Sequence, residues 1–141
     1  MKREQRLVRV LSRLATTLNK HGVTWSLGGS LMLYLRGLDV SVDDIDILVS
    51  TRNIEKLENV LTEFGYHKED GSTDYPTNHF YECIIEGVDV DIMVGFKVAR
   101  EEGNYIFDQE AKVDEITING VAIYLSSLEE WLKAYEAMNR T

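Results

Sequence analysis

The stretch Val42-Asp43-Asp44-Ile45-Asp46-Ile47-Leu48-Val49 decides how the chain is read. Side chains two apart on a strand share a face. Asp44 and Asp46 therefore project together, while Ile45, Ile47 and Val49 face the other way. Asp43 falls on the Ile side and reads as structural or exposed. Two neighbouring carboxylates on a strand of Ile, Leu and Val repel each other. They also carry a desolvation cost unless a cation or a hydrogen-bond donor compensates. Two readings fit: a solvated strand end, or half of a cation site.

A second run, Val88-Asp89-Val90-Asp91-Ile92-Met93-Val94, repeats the pattern with Asp89 and Asp91. If the two strands lie side by side, three or four carboxylates converge. Such a set suits a hard, oxygen-preferring cation, above all Mg²⁺. Two such ions, about 3.5–4 Å apart, activate an attacking hydroxyl and hold a triphosphate for in-line displacement.

Upstream, Val23 to Leu27 reads as a strand, and Leu31 to Arg36 as a buried helix. Between them stands Gly28-Gly29-Ser30. Small residues at a strand-to-helix turn let the backbone approach a ligand, and free N–H groups there suit phosphate oxygens. Ser30 adds a hydroxyl donor. The same turn can equally be a tight connection and nothing more.

The rest of the chain fits around these pieces. Leu7, Leu11, Leu14 and Leu18 make the apolar stripe of a helix over about residues 3–20, stopped at His21-Gly22. Ile54, Leu57, Val60, Leu61 and Phe64 make another over 53–64, with Asn53 as its expected N-cap. Residues 66–78 read as a loop with a short strand near 66–68. Runs 79–86 and 88–94 form a hairpin, and 97–108 reads as irregular. Asn119-Gly120 between two alternating runs predicts a second hairpin with a type I′ turn. Ser126 or Ser127 caps a last helix whose apolar positions are Leu128, Trp131, Leu132 and Tyr135. The expected class is α/β (α+β), a mixed central sheet flanked by helices.

Composition bounds the function. The chain has 141 residues, 44% hydrophobic and 28% charged, which reads as one folded domain over residues 1–141 and excludes a disordered or fibrous chain. The net charge is −9. A basic patch is what nucleic-acid binding needs, so that class of partner is not expected. Residues 1–20 hold six cations against Glu4, a balance of +5, leaving −14 for the remainder. Cys83 is the one cysteine, which excludes an internal disulfide and fits a cytoplasmic setting. It lies in an apolar stretch and reads as a packed thiol. No apolar run approaches the roughly 20 residues of a membrane span, and no signal-peptide pattern opens the chain. The histidines His21, His67 and His79 show no metal-ligand spacing.

Gly29-Ser30, then thirteen residues, then Asp44-Ile45-Asp46-Ile47, then Val90-Asp91-Ile92 resembles the signature of the DNA polymerase β-like nucleotidyltransferase superfamily. The resemblance spans about residues 22–94. It is nearest to small stand-alone bacterial and archaeal members, some akin to antibiotic nucleotidyltransferases and some to antitoxins of the minimal nucleotidyltransferase type. It implies a nucleotidyltransferase-like fold and transfer of a nucleoside monophosphate from an NTP to a hydroxyl of a small molecule or protein. It implies that Asp44, Asp46 and Asp91 are the metal ligands for Mg²⁺, one ion or two. Asp91 would be the general base, and Gly28, Gly29 and Ser30 would meet the nucleotide phosphates. Asp89 lies outside the three-acid pattern. The cations nearest in sequence, Arg36, Arg52, Lys97 and Arg100, match no position of the pattern.

A binding module of the same fold is the alternative: an antitoxin-type subunit docking a helical partner through Trp131 and Tyr135, or a homo-oligomer. Trp131 and Tyr135 packed into the protein's own core is the competing reading of those two residues.

Overall fold

The computed structural model describes residues 2–70, 79–98, 105–106 and 114–137. Helix α1 (Arg3–Lys20) buries Leu7, Val10, Leu11, Leu14, Ala15 and Leu18, the predicted stripe with its gaps filled. Strand β1 (Trp25–Gly28) runs straight into α2 (Gly29–Leu35). Gly29, at φ +65°, makes that abrupt change of direction possible. This helix therefore starts two residues earlier than the Leu run suggests. Strand β2 (Asp44–Val49) has the expected bounds.

The third helix differs at its start. A 3₁₀ turn at Thr51–Asn53 leads into α3 (Ile54–Thr62). Asn53 makes no side-chain cap. Its Oδ1 instead accepts the Thr24 N–H at 2.9 Å, tying this turn to the entrance of β1. Ser50 caps the 3₁₀ turn, accepting from the Arg52 N–H.

Strand β3 (His67–Asp70) lies slightly later than predicted, and residues 71–78 fall outside the described set. The hairpin β4 (His79–Ile85) and β5 (Val88–Val94) closes through Glu86 at φ 50° and Gly87 at φ 79°. Within the stretch expected to be irregular, β6 (Lys97–Val98) pairs antiparallel with β7 (Tyr105–Ile106), a correction for those four residues. The hairpin β8 (Asp114–Ile118) and β9 (Val121–Leu125) turns at Asn119 and Gly120, both at positive φ as a type I′ turn requires. Helix α4 (Leu128–Ala137) is capped by Ser127, whose Oγ accepts the Glu130 N–H at 3.3 Å. Ser126 is buried and pairs with Ser26 through their hydroxyls at 2.8 Å.

Seven strands form one mixed sheet in the order β3-β4-β5-β2-β1-β9-β8. β2 runs parallel to β5, and β1 parallel to β9; the other neighbours are antiparallel. On one face Ile45, Ile47, Val90, Ile92 and Tyr81 are fully buried. That face carries α1, which touches β9, β2, β5 and α3. The Tyr81 hydroxyl reaches Glu58 of α3 at 2.6 Å, and Lys68 of β3 donates to the same carboxylate at 2.9 Å. The helices thus bury the Ile face and leave the Asp face for α2, α4 and solvent. No helix of the described residues is long and apolar enough to cross a membrane.

Candidate active site

The β2–β5 register sets Asp44 opposite Asp89 and Asp46 opposite Asp91. Opposed residues of adjacent strands point to the same face, about 5 Å apart. The two acidic runs read from sequence are therefore neighbours. One carboxylate oxygen from each of Asp44, Asp46 and Asp91 lies within 4.8 Å of the others, and all three residues are half-buried. Asp89 is exposed beside them. Asp43 points to the other face, where it is exposed and pairs with Arg3.

The register extends the row. From β1 outward it reads Gly28, Asp46, Asp91, Glu82, His67. Glu82 belongs to no motif in the sequence, and His67 has no metal-ligand spacing there. Alternation in Phe80-Tyr81-Glu82-Cys83-Ile84 marks Glu82 as outward-facing, but only the strand pairing reveals that it stands beside Asp91.

At the other end, Asp46 rests on the backbone of Gly29. A Cβ on Gly29 would collide with its Oδ2 and stand 2.9 Å from its Cγ. A Cβ on Gly28 would stand 2.7 Å from the Trp131 ring and 2.8 Å from Leu48 Cδ1. Both glycines are buried, and Ser30 is half-buried at the start of α2. Trp131 is 4% exposed and stacks on Phe96, with centroids 5.9 Å apart. It belongs to the protein's own core and braces the Gly28–Gly29 turn from behind. The Tyr135 side chain lies outside the described residues.

Electrostatics follow from the crowding. Asp91 has its pKa pushed up to about 6, first by burial and then by Asp44, Glu82 and Asp89. Among the described residues every group acting on this carboxyl disfavours its charged form, and a bound cation would favour it. Three carboxylates within reach of one point, all oxygen donors, fit a hard divalent ion. Cys83 is buried, and burial together with Asp91 pushes its thiol up to about 11, so it stays protonated and inert. Arg36 is held away from the acids: it donates to the Ser126 carbonyl at 2.7 Å and pairs with Asp114 at 2.8 Å. Arg52 contacts Ser50. The Lys97 side chain and Arg100 lie outside the described residues.

Residues 10–140 match the family model of aminoglycoside-2''-adenylyltransferases. A Thermotoga maritima protein, classed by inference as a nucleotidyltransferase, is 30% identical over 99% of this chain and 88% of its own, with a TM-score of 0.82. The antibiotic-resistance factor ANT(2'')-Ia, solved in complex with adenylyl-2''-tobramycin, is 16% identical over 96% of this chain and 78% of its own, with a TM-score of 0.62. The lincosamide antibiotic adenylyltransferase LnuA, solved with lincomycin, is 23% identical over 94% and 84%, with a TM-score of 0.56. At those identities the last two share the fold. Curated proteins gave no significant match in sequence.

Proposed function

The chain belongs to the aminoglycoside-2''-adenylyltransferase family, a family of nucleotidyltransferase enzymes, and on that premise we propose that it transfers AMP from ATP to a hydroxyl of a small-molecule acceptor. The observation that carries this reading is the convergence of Asp44, Asp46 and Asp91 beside the Gly28-Gly29-Ser30 turn.

In this reading Asp44, Asp46 and Asp91 hold Mg²⁺, which when bound offsets phosphate charge and makes the acceptor hydroxyl more acidic. The turn at Gly29 and Ser30 seats the phosphates on the β1 side. Asp91, on the far side of Asp46, takes the proton of the acceptor hydroxyl. The hydroxyl oxygen forms a bond to the α-phosphorus, the bond to the β-phosphate breaks, and pyrophosphate leaves.

The test is direct. Protein, ATP and Mg²⁺ are incubated with tobramycin or lincomycin, and adenylylated product is sought by mass spectrometry. Product from wild type and none from Asp46→Asn is expected. Equal product from both would refute the assignment.

A further inference from the structure

Helix α2 has seven residues, too few to hold its place by its own hydrogen bonds. Its position, and with it that of Gly29 and Ser30, depends on what ties down its two ends. The start is fixed by the Gly28–Gly29 turn, wedged between Trp131 and Asp46. The far end is fixed by Arg36, the residue that caps the helix.

The Arg36 guanidinium is turned inward, and its side chain is only 19% exposed. Nη2 donates to the Ser126 carbonyl at 2.7 Å, Nη1 pairs with Asp114 at 2.8 Å, and Nε reaches the Met32 sulfur at 3.1 Å. The bond to Ser126 has the longest reach, because Ser126 is itself locked to β1. Its N–H donates to the Leu27 carbonyl at 2.8 Å, and its hydroxyl pairs with that of Ser26 at 2.8 Å. Both ends of α2 are thus tied to the stretch Ser26-Leu27-Gly28. Ser126 also leads into α4, which carries Trp131 back onto Gly28. The contacts close a ring that runs from Gly28 through α2, Arg36, Ser126 and α4 to Trp131. Without the link from Arg36 to Ser126, α2 can tilt about its start, where Gly29 lies against Asp46.

We propose that Arg36 is a positioning residue for the nucleotide site: through Ser126 it fixes α2, and through α2 it fixes the Gly29–Ser30 turn against Asp46. A guanidinium suits the task, since its planar fork serves two acceptors in one fixed geometry, whereas an ammonium is a single point of charge. This rests on the nucleotidyl-transfer reading above and adds to it a residue that lies outside the three-acid pattern.

The test compares the full chain with Arg36→Met, which keeps most of the stem and loses the donors, and Arg36→Lys, which keeps the charge and one donor group. Near-ultraviolet circular dichroism and thermal unfolding establish the temperature at which all three are folded. Calorimetry at that temperature measures the affinity for a non-hydrolysable ATP analogue with Mg²⁺. Arg36→Met should weaken binding about tenfold, and Arg36→Lys should recover part of the loss. Folded variants with a lower Tm and wild-type affinity would make Arg36 a structural residue alone and overturn the proposal. A loss that Arg36→Lys does not recover would trace to side-chain fit and not to the bond with Ser126, and would overturn it too. If Arg36→Met does not fold, Arg36→Lys decides: weaker binding than wild type supports the proposal, and equal binding overturns it. Absence of nucleotide binding by the wild type overturns the underlying function together with it.

Discussion

The Asp46 carboxylate lies against the backbone of Gly29, with no room between them for a side chain. Gly29 also stands at φ +65°, where an L-residue is strained. Position 29 is thus doubly committed: to the turn from β1 into α2, and to the placement of an acid of the proposed metal site. Gly29→Ala should displace Asp46 and lower turnover by about a hundredfold, the equivalent of about 2.7 kcal/mol. The circular dichroism spectrum of the variant should stay close to wild type. Steady-state kinetics at saturating Mg²⁺ and ATP checks this; wild-type kcat would show that the acid does not depend on the turn.

Trp131 supports the same turn from behind. Trp131→Ala removes the ring that packs on Gly28 and stacks with Phe96. Truncation of a buried aromatic costs about 3–5 kcal/mol. A large drop in Tm is expected in thermal unfolding. Trp131→Phe should recover most of it, since the ring contact is partly kept.

Asp91 predicts an inverted pH dependence in the metal-free protein. Its folded pKa is raised from 3.8 to about 6. The folded state therefore holds the proton more tightly than the unfolded chain, and the ionised carboxylate destabilises the fold above pH 6. Asp91→Asn should be more stable than wild type at pH 8. That advantage should shrink as pH falls through 6 toward 4. Mg²⁺ should raise the wild-type Tm at pH 8, with the effect fading below about 6. Thermal scans of both proteins, with and without Mg²⁺, read both effects; a wild type more stable than Asp91→Asn at pH 8 without metal would contradict them.

Glu58 behaves in the opposite sense. The Tyr81 hydroxyl and then Lys68 hold its carboxyl below the usual range. Stability from this cluster is present at neutral pH and is lost as the solution is acidified. Tyr81→Phe removes a hydrogen bond to a charged group and should cost about 1–2 kcal/mol at pH 7. The loss should diminish at pH 3. Urea unfolding at the two pH values measures it.

The acids were legible because strand alternation is strict: Asp44, Asp46 and Asp91 declare their faces from spacing alone. Their convergence does not follow from spacing, because it depends on β2 lying parallel to β5, a pairing between segments more than forty residues apart; the family resemblance implied it, and the register bears it out. The place of Glu82 beside Asp91 was hidden for the same reason: local polarity gives its face but not its neighbour. Asn53 has the residue type of an N-cap, yet a long-range partner, the Thr24 N–H, takes its side chain. Ser126 and Ser127 were equivalent as caps until burial assigned one to Ser26 and the other to α4. The positive-φ turn at Asn119-Gly120 needed no tertiary information, since its geometry is written in the dipeptide.

The decisive measurement is isothermal titration of a non-hydrolysable ATP analogue into the full chain, with and without Mg²⁺, for wild type and for Asp44→Asn/Asp46→Asn. Saturable binding that requires Mg²⁺ in wild type and disappears in the double variant is predicted. Metal-independent binding, or binding retained by the double variant, would contradict a catalytic site built on Asp44, Asp46 and Asp91.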